Sequence, residues 1–168
     1  MIRTSATKPD DKKGFISTKD IWWNADLGFE GPCEGGFFTS LGDLHRFGDA
    51  VLQNKLLSPV QNRKWLEPVT ATSSSGLLIG QPWEIFRAED VTSDSRMVEI
   101  YTESGDLISY HSIFVLIPDY DLVATLLVAG PGGPSEASSS SMTLMVSRSI
   151  QTLLPAVEAA GESEASQA

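Results

Sequence analysis

The stretch from Tyr101 to Gly130, YTESGDLISYHSIFVLIPDYDLVATLLVAG, limits the fold more than any other part of this chain. Two apolar runs, SIFVLI and LVATLLVAG, flank the segment PDYD. Proline presets a turn backbone, and aspartate side chains bond their own backbone in turns. Two strand-type runs joined by such a segment read as an antiparallel hairpin. A polar ESGD stands just before the first run, placing a small charged motif at the entrance of the hairpin.

The rest of the chain supplies layers for that hairpin. Further strand-type segments are LLIGQPWEIF near 77–86 and MVEIYTE at 97–103, joined by the turn-rich AEDVTSDS. Pro82 either puts the first of these at a sheet edge or breaks it, because proline has no N–H to give to a ladder. The hairpin strands themselves span 109–117 and 122–129. Ahead of them, TSLGDLHRFGDAVLQNKLLSP predicts a helix: Ser40 is the N-cap, Asp43 lies in the first turn, and Leu44, Phe47, Val51 and Leu52 recur at helical spacing. A second, short helix starts after Ser58, with Pro59 at its first position and Val60, Trp65 and Leu66 inside. TATSSSG at 70–76 and GPGGPSEASSSS at 130–141 read as loops. After the second loop, Met142, Met145, Val146, Ile150 and Leu153 repeat at helical spacing. Strands in one block with helices at both ends predict an α+β fold, an antiparallel sheet with flanking helices.

Residues 1–14 are polar and read as a disordered N-terminal end, residues 15–158 as the folded domain, and residues 159–168, EAAGESEASQA included from Glu158, as a disordered tail. The 168 residues and an apolar share of 41% suffice for one core. A net charge of -10 repels phosphate backbones and anionic lipid, which excludes nucleic acid and membrane surfaces as expected partners. The single cysteine, Cys33, rules out an internal disulfide and agrees with a reducing, cytoplasmic setting. His45 and His111 stand apart from other ligand-type residues, so no metal and no cofactor is expected.

Two segments carry the strongest signal for function: GPCEGGFFTSLGDLHRFGDAVLQNKLLSP and YTESGDLISYHSIFVLIPDYDLVATLLVAG. Their order and spacing resemble the C-terminal part of the class C β-lactamase-related serine hydrolases, which include penicillin-binding-protein-like peptidases, esterases and fungal transesterases. The likeness runs from about Ile21 to Val157. It implies a partial β-lactamase/transpeptidase-like fold and acyl chemistry on an ester, amide or thioester. In that family a helical Ser-x-x-Lys supplies nucleophile and base, a Tyr-x-Asn assists proton transfer, and a Lys/His-Ser/Thr-Gly strand lines the opposite wall of the pocket.

On this likeness Glu103, Ser104 and Gly105 fall on the strand triplet. Ser104 would donate a hydrogen bond to an acyl group, Gly105 would let substrate approach the backbone, and the N–H of Asp106 would be the strand-side oxyanion donor. Glu103 reverses the charge expected at the first position and opposes both a carboxylate substrate and an oxyanion. Glu103 therefore either lines the pocket or ends the strand on the solvent side. Ser5-Ala6-Thr7-Lys8 fits the bare Ser-x-x-Lys pattern but lies in a polar stretch with Pro9 behind it and no apolar face to bury, so it is not assigned as a nucleophile. Trp22-Trp23-Asn24 lacks a phenolic hydroxyl and reads as a packing loop. Cys33, beside Glu34, has no neighbouring base. His45 reads as a surface residue and His111 as a half-buried strand residue.

The expectation is thus a truncated relative of a serine hydrolase without its own nucleophile, with an acyl-type small molecule as ligand. The alternative is a non-catalytic assembly module that self-associates or completes a partner chain. Without further layers, Ile113, Phe114, Val115, Leu126 and Leu127 are expected to lose part of their cover.

Overall fold

The computed structural model describes residues 39–107, 110–129 and 139–166. Helix α1, Leu41–Leu52, begins where Ser40 takes an extended backbone and its Oγ accepts the N–H of Asp43 at 3.1 Å. Helix α2, Pro59–Trp65, is closed by a capping box: Ser58 and Gln61 satisfy each other's backbone N–H, and proline occupies the position that needs no donor. The two helices are joined by a buried side chain the periodicity did not mark. Asn62 donates from Nδ2 to the carbonyl of Val51 at 2.8 Å and to Asn54 Oδ1 at 3.1 Å. Val60, expected inside α2, is 68% exposed, because the seven-residue helix turns the side carrying Asn62 toward α1.

Among the described residues the sheet has six antiparallel strands in sequence order: β1 Thr70–Ala71, β2 Leu77–Ile79, β3 Glu84–Ala88, β4 Val98–Leu107, β5 Tyr110–Ile117 and β6 Leu122–Ala129. β1 lies within a segment expected to be loop; its two residues are held by pairing to β2 rather than by any pattern of their own. Pro82 breaks the first strand segment, and the Gly80 N–H bonds to the Trp83 carbonyl across the resulting turn at 2.6 Å. The PDYD segment forms a 3-10 turn over Pro118–Tyr120, and Asp121 exits it with φ of 47°, a left-handed backbone that aspartate tolerates better than most residues.

The sheet separates two apolar layers. On one face Val98, Ile100, Ile113, Val115 and Ile117 pack under Ile150 and Leu154 of helix α3, Ser139–Ala165. On the other, Trp83, Ile85, Tyr101, Phe114 and Leu116 pack under Val51 of α1, with Trp65 and Leu66 beside them. β5 alternates between the two layers, so it is covered on both sides. The expected loss of cover is therefore corrected for Ile113, Phe114 and Val115, which are 3%, 8% and 0% exposed: the chain brings its own helix to each face. Leu126 and Leu127, on β6, are only half-buried.

Helix α3 continues to Ala165, through residues 159–165 that composition placed in a tail. Alanine and glutamate are strong helix formers, and their polar, exposed surface carries no core periodicity to announce them. A side-chain network pins this part of the helix. Glu158 accepts the Tyr120 hydroxyl at 2.5 Å and both the backbone N–H and the hydroxyl of Ser93 at 2.9 and 2.7 Å. Arg96 donates to Tyr120 at 2.8 Å and stacks over its ring. The Tyr120 bond, followed by those from Ser93, holds the Glu158 carboxyl down to about 2. Burial, then the bond to Glu158, pushes the Tyr120 phenol up to about 12.

A depressed carboxyl stabilises the fold above its unfolded value of about 4.3, and that contribution fades as pH falls through about 2. Glu158→Gln is expected to melt lower than the parent at neutral pH and to converge with it in acid. Thermal melts of both proteins across this range measure it; parallel curves at every pH would refute the role of the charge.

Candidate active-site wall

β4 changes character along its length. Val98, Ile100, Tyr101 and Thr102 are buried, whereas Glu103, Ser104 and Gly105 are exposed. The strand nevertheless continues to Leu107, paired with β5 throughout: Glu103 faces Phe114, Ser104 faces Ile113, Gly105 faces Ser112 and Asp106 faces His111. Glu103 therefore sits within the strand, not at its end. The four candidate residues follow one another on β4 just past Thr102, where its pairing with β3 ends and only β5 remains beside it, and alternation divides them between the faces. Glu103 and Gly105 share the α1 face with Phe114; Ser104 shares the α3 face with Ile113.

The surroundings of Glu103 are aromatic. The Phe114 and Trp83 rings lie 6.3 Å apart, Trp65 and Tyr101 meet Trp83 edge-on, and Phe47 of α1 lies 5.7 Å from Phe114. Partial burial, then the charge of Glu84, raises the Glu103 carboxyl above its ordinary value. A raised acid binds its proton more tightly when folded, so ionising it as pH rises through the carboxylate range costs stability. Glu103→Gln is expected to remove that loss, leaving melting temperatures above this range equal to or higher than the parent's. A variant that melts lower at neutral pH would show that the charge at position 103 is instead satisfied in the fold.

A Cβ on Gly105 would fall 2.6 Å from the Ser112 hydroxyl oxygen but 4.0 Å from its Cβ, so the serine rotamer, not the spacing of the strands, is what meets it. Ser112 and Trp83 are the neighbours that sequence reading did not single out. Only alternation along β5 hinted at Ser112, and nothing local marked Trp83, which reaches the site through pairing of β3 with β4.

Of the other candidates, His45 is exposed on α1, and His111 lies on β5 in register with Asp106 and Val128. Ser5, Lys8, Trp22, Trp23, Asn24 and Cys33 lie outside the described residues. No helix among those described is long and apolar enough to cross a membrane.

An antiparallel sheet between two helical layers defines an α+β protein. Its relatives are more specific. The chain is 34% identical over 161 residues to a beta-lactamase-like protein of Arthroderma benhamiae, matching 94% of this chain and 26% of that one. It is 31% identical to "Probable hydrolase M10" of Phoma sp., over 77% of this chain and 21% of the relative. "Probable hydrolase clz13" of Cochliobolus lunatus is 32% identical, with the same two shares. These likenesses support a beta-lactamase-like, hydrolase-related family. The chain spans about a quarter of the length of these relatives. No family model and no solved structure matches it.

Proposed function

We propose that this chain carries the sheet-side wall of an acyl-transfer pocket of the β-lactamase-related serine hydrolase type, class C in character and close to the esterases and transesterases of secondary metabolism. The observation that carries this reading is the placement of Glu103, Ser104, Gly105 and Asp106 in succession on β4 just past Thr102, where pairing with β3 ends and Glu103, Ser104 and Gly105 become exposed. In this reading Ser104 offers its hydroxyl to an acyl substrate, Gly105 admits it to the backbone, and the Asp106 N–H faces the developing oxyanion. Glu103, in place of a cation, disfavours carboxylate-bearing substrates and favours neutral esters or amides. The nucleophile and its base are not assigned to this chain. Without them only binding and part of an oxyanion hole remain.

Two measurements test the reading. Amide shifts recorded while a short neutral p-nitrophenyl ester is added are expected to move first at Ser104 and Gly105; shifts confined elsewhere would refute the wall. The same ester, and a chromogenic β-lactam, should be hydrolysed no faster than in buffer. A product burst lost in Ser5→Ala would instead make Ser5 the nucleophile and the chain a complete hydrolase.

A second reading, an assembly module that completes another chain, is favoured by one specific feature: among the described residues, the outer edge of β6 is unpaired.

A further inference from the structure

Glu103 is a carboxylate that no cation offsets among the described residues. The arginines of the sheet are engaged elsewhere, Arg87 with Glu99 and Arg96 with Asp94, Asp119 and Glu158. Partial burial and the charge of Glu84 raise the Glu103 carboxyl, and no positive charge lowers it.

The surroundings are aromatic instead of basic. Trp83 and Glu103 come just past Glu84 and Thr102, the last pair joining β3 to β4, and alternation puts both on the face that carries Ile85 and Tyr101. On its other side Glu103 is opposite Phe114. Helix α1 lies over β5 and β6 and sets Phe47 against Phe114, with ring centroids 5.7 Å apart. Glu103 and Phe47 are exposed, whereas Trp83 and Phe114 are buried beneath them.

A carboxylate beside aromatic rings has the chemistry to hold an organic cation. The rings present a negative π-face, the carboxylate supplies a full charge, and the apolar carbon atoms cover the alkyl groups of a substituted nitrogen. A metal ion of the calcium or magnesium type needs several oxygen ligands, and no group of three or more ligating side chains occurs among the described residues. The net charge of -10 draws cations toward the chain.

We propose that this wall selects acyl substrates carrying an alkylated ammonium group, held between Glu103 and the rings of Phe47 and Phe114, with the acyl carbon at Ser104 and Gly105. This rests on the acyl-wall reading and deepens it: that reading turns carboxylates away, and this one names what Glu103 attracts. The strand also sets the length of the substrate. Glu103 and Gly105 share a face two residues apart, a rise of about 7 Å. That span suits the ester of a short amino alcohol.

Acetylcholine, its neutral isostere with a tert-butyl group in place of the trimethylammonium, and choline without an acyl group test the proposal. Amide shifts of the parent chain should move at Glu103, Ser104 and Gly105 with acetylcholine, which should bind about tenfold more tightly than the isostere. Added salt should weaken acetylcholine and leave the isostere unchanged. Glu103→Gln should erase the preference without loss of isostere binding. Phe47→Leu, which keeps an apolar side chain but no π-face, should reduce it in part. Equal affinity for acetylcholine and the isostere at Ser104 and Gly105 would overturn the cation site and leave the acyl wall standing. A preference that survives Glu103→Gln would overturn the role of that carboxylate. Choline shifting Glu103 and Phe47 while neither ester reaches Ser104 would overturn the wall, and with it the claim that the cation belongs to an acyl substrate. No shift at these residues with any of the probes would overturn both.

Discussion

Trp83→Ala will cost about 3–5 kcal/mol of unfolding free energy, the usual range for emptying a large aromatic site. Trp83 is 2% exposed and touches Trp65, Tyr101 and Phe114, so α2, β4 and β5 all lose a shared partner. The effect is large against the roughly 5–15 kcal/mol that holds a domain folded. Trp83→Phe should cost much less than the lost volume suggests. The indole Nε1 is buried without a hydrogen-bond partner, and removing an unpaired buried donor gives back part of its desolvation penalty. Urea unfolding of both variants reads the difference. If phenylalanine proves as damaging as alanine, the indole N–H has a partner in solution.

The second large effect is expected where α1 crosses the sheet. A Cβ on Gly48 would lie 2.6 and 2.7 Å from the two methyls of Val123 and 3.2 Å from Phe114. Val123 is a short, branched side chain with little freedom to retreat. Gly48→Leu should therefore destabilise by about 3 kcal/mol or more, at the upper end of overpacking, even though leaving glycine gains about 1 kcal/mol of helix propensity. Gly161→Ala in α3 isolates that propensity term. Nothing lies within 4 Å of its Cβ position, so the same kind of change should stabilise by up to about 1 kcal/mol. A Gly48→Leu protein with parental stability would mean that α1 does not rest on Val123.

The element order was legible because each element carries a local reason to form. Ser40 and Ser58 cap helices through their own side chains, Pro59 starts one, PDYD turns the chain between β5 and β6, and the apolar runs on either side of it have the length and residue types of strands. These signals act over three or four residues, so no tertiary information is needed to read them. The place of the ESGD motif was less legible: its polar residues read as a break between strands at 103, whereas pairing with β5 carries β4 on to Leu107.

What covers each strand was not legible. β5 is apolar at every position from Ile113 to Ile117, which tells only that it is buried, not that α3 takes one face and α1 the other. The surroundings of Glu103 depend on which strand lies next to β4, and that register brings in Phe114 from the next strand and the aromatic cluster around Trp83. Asn62 shows the limit most clearly. An asparagine in a short helix looks like surface, and only the approach of α1 gives it the Val51 carbonyl and makes it a buried joint. Backbone preference and capping are properties of neighbouring residues, and the sequence alone determined those. Burial, close approach and the raised Glu103 carboxyl arise between segments far apart in the chain, and only the tertiary structure decided them.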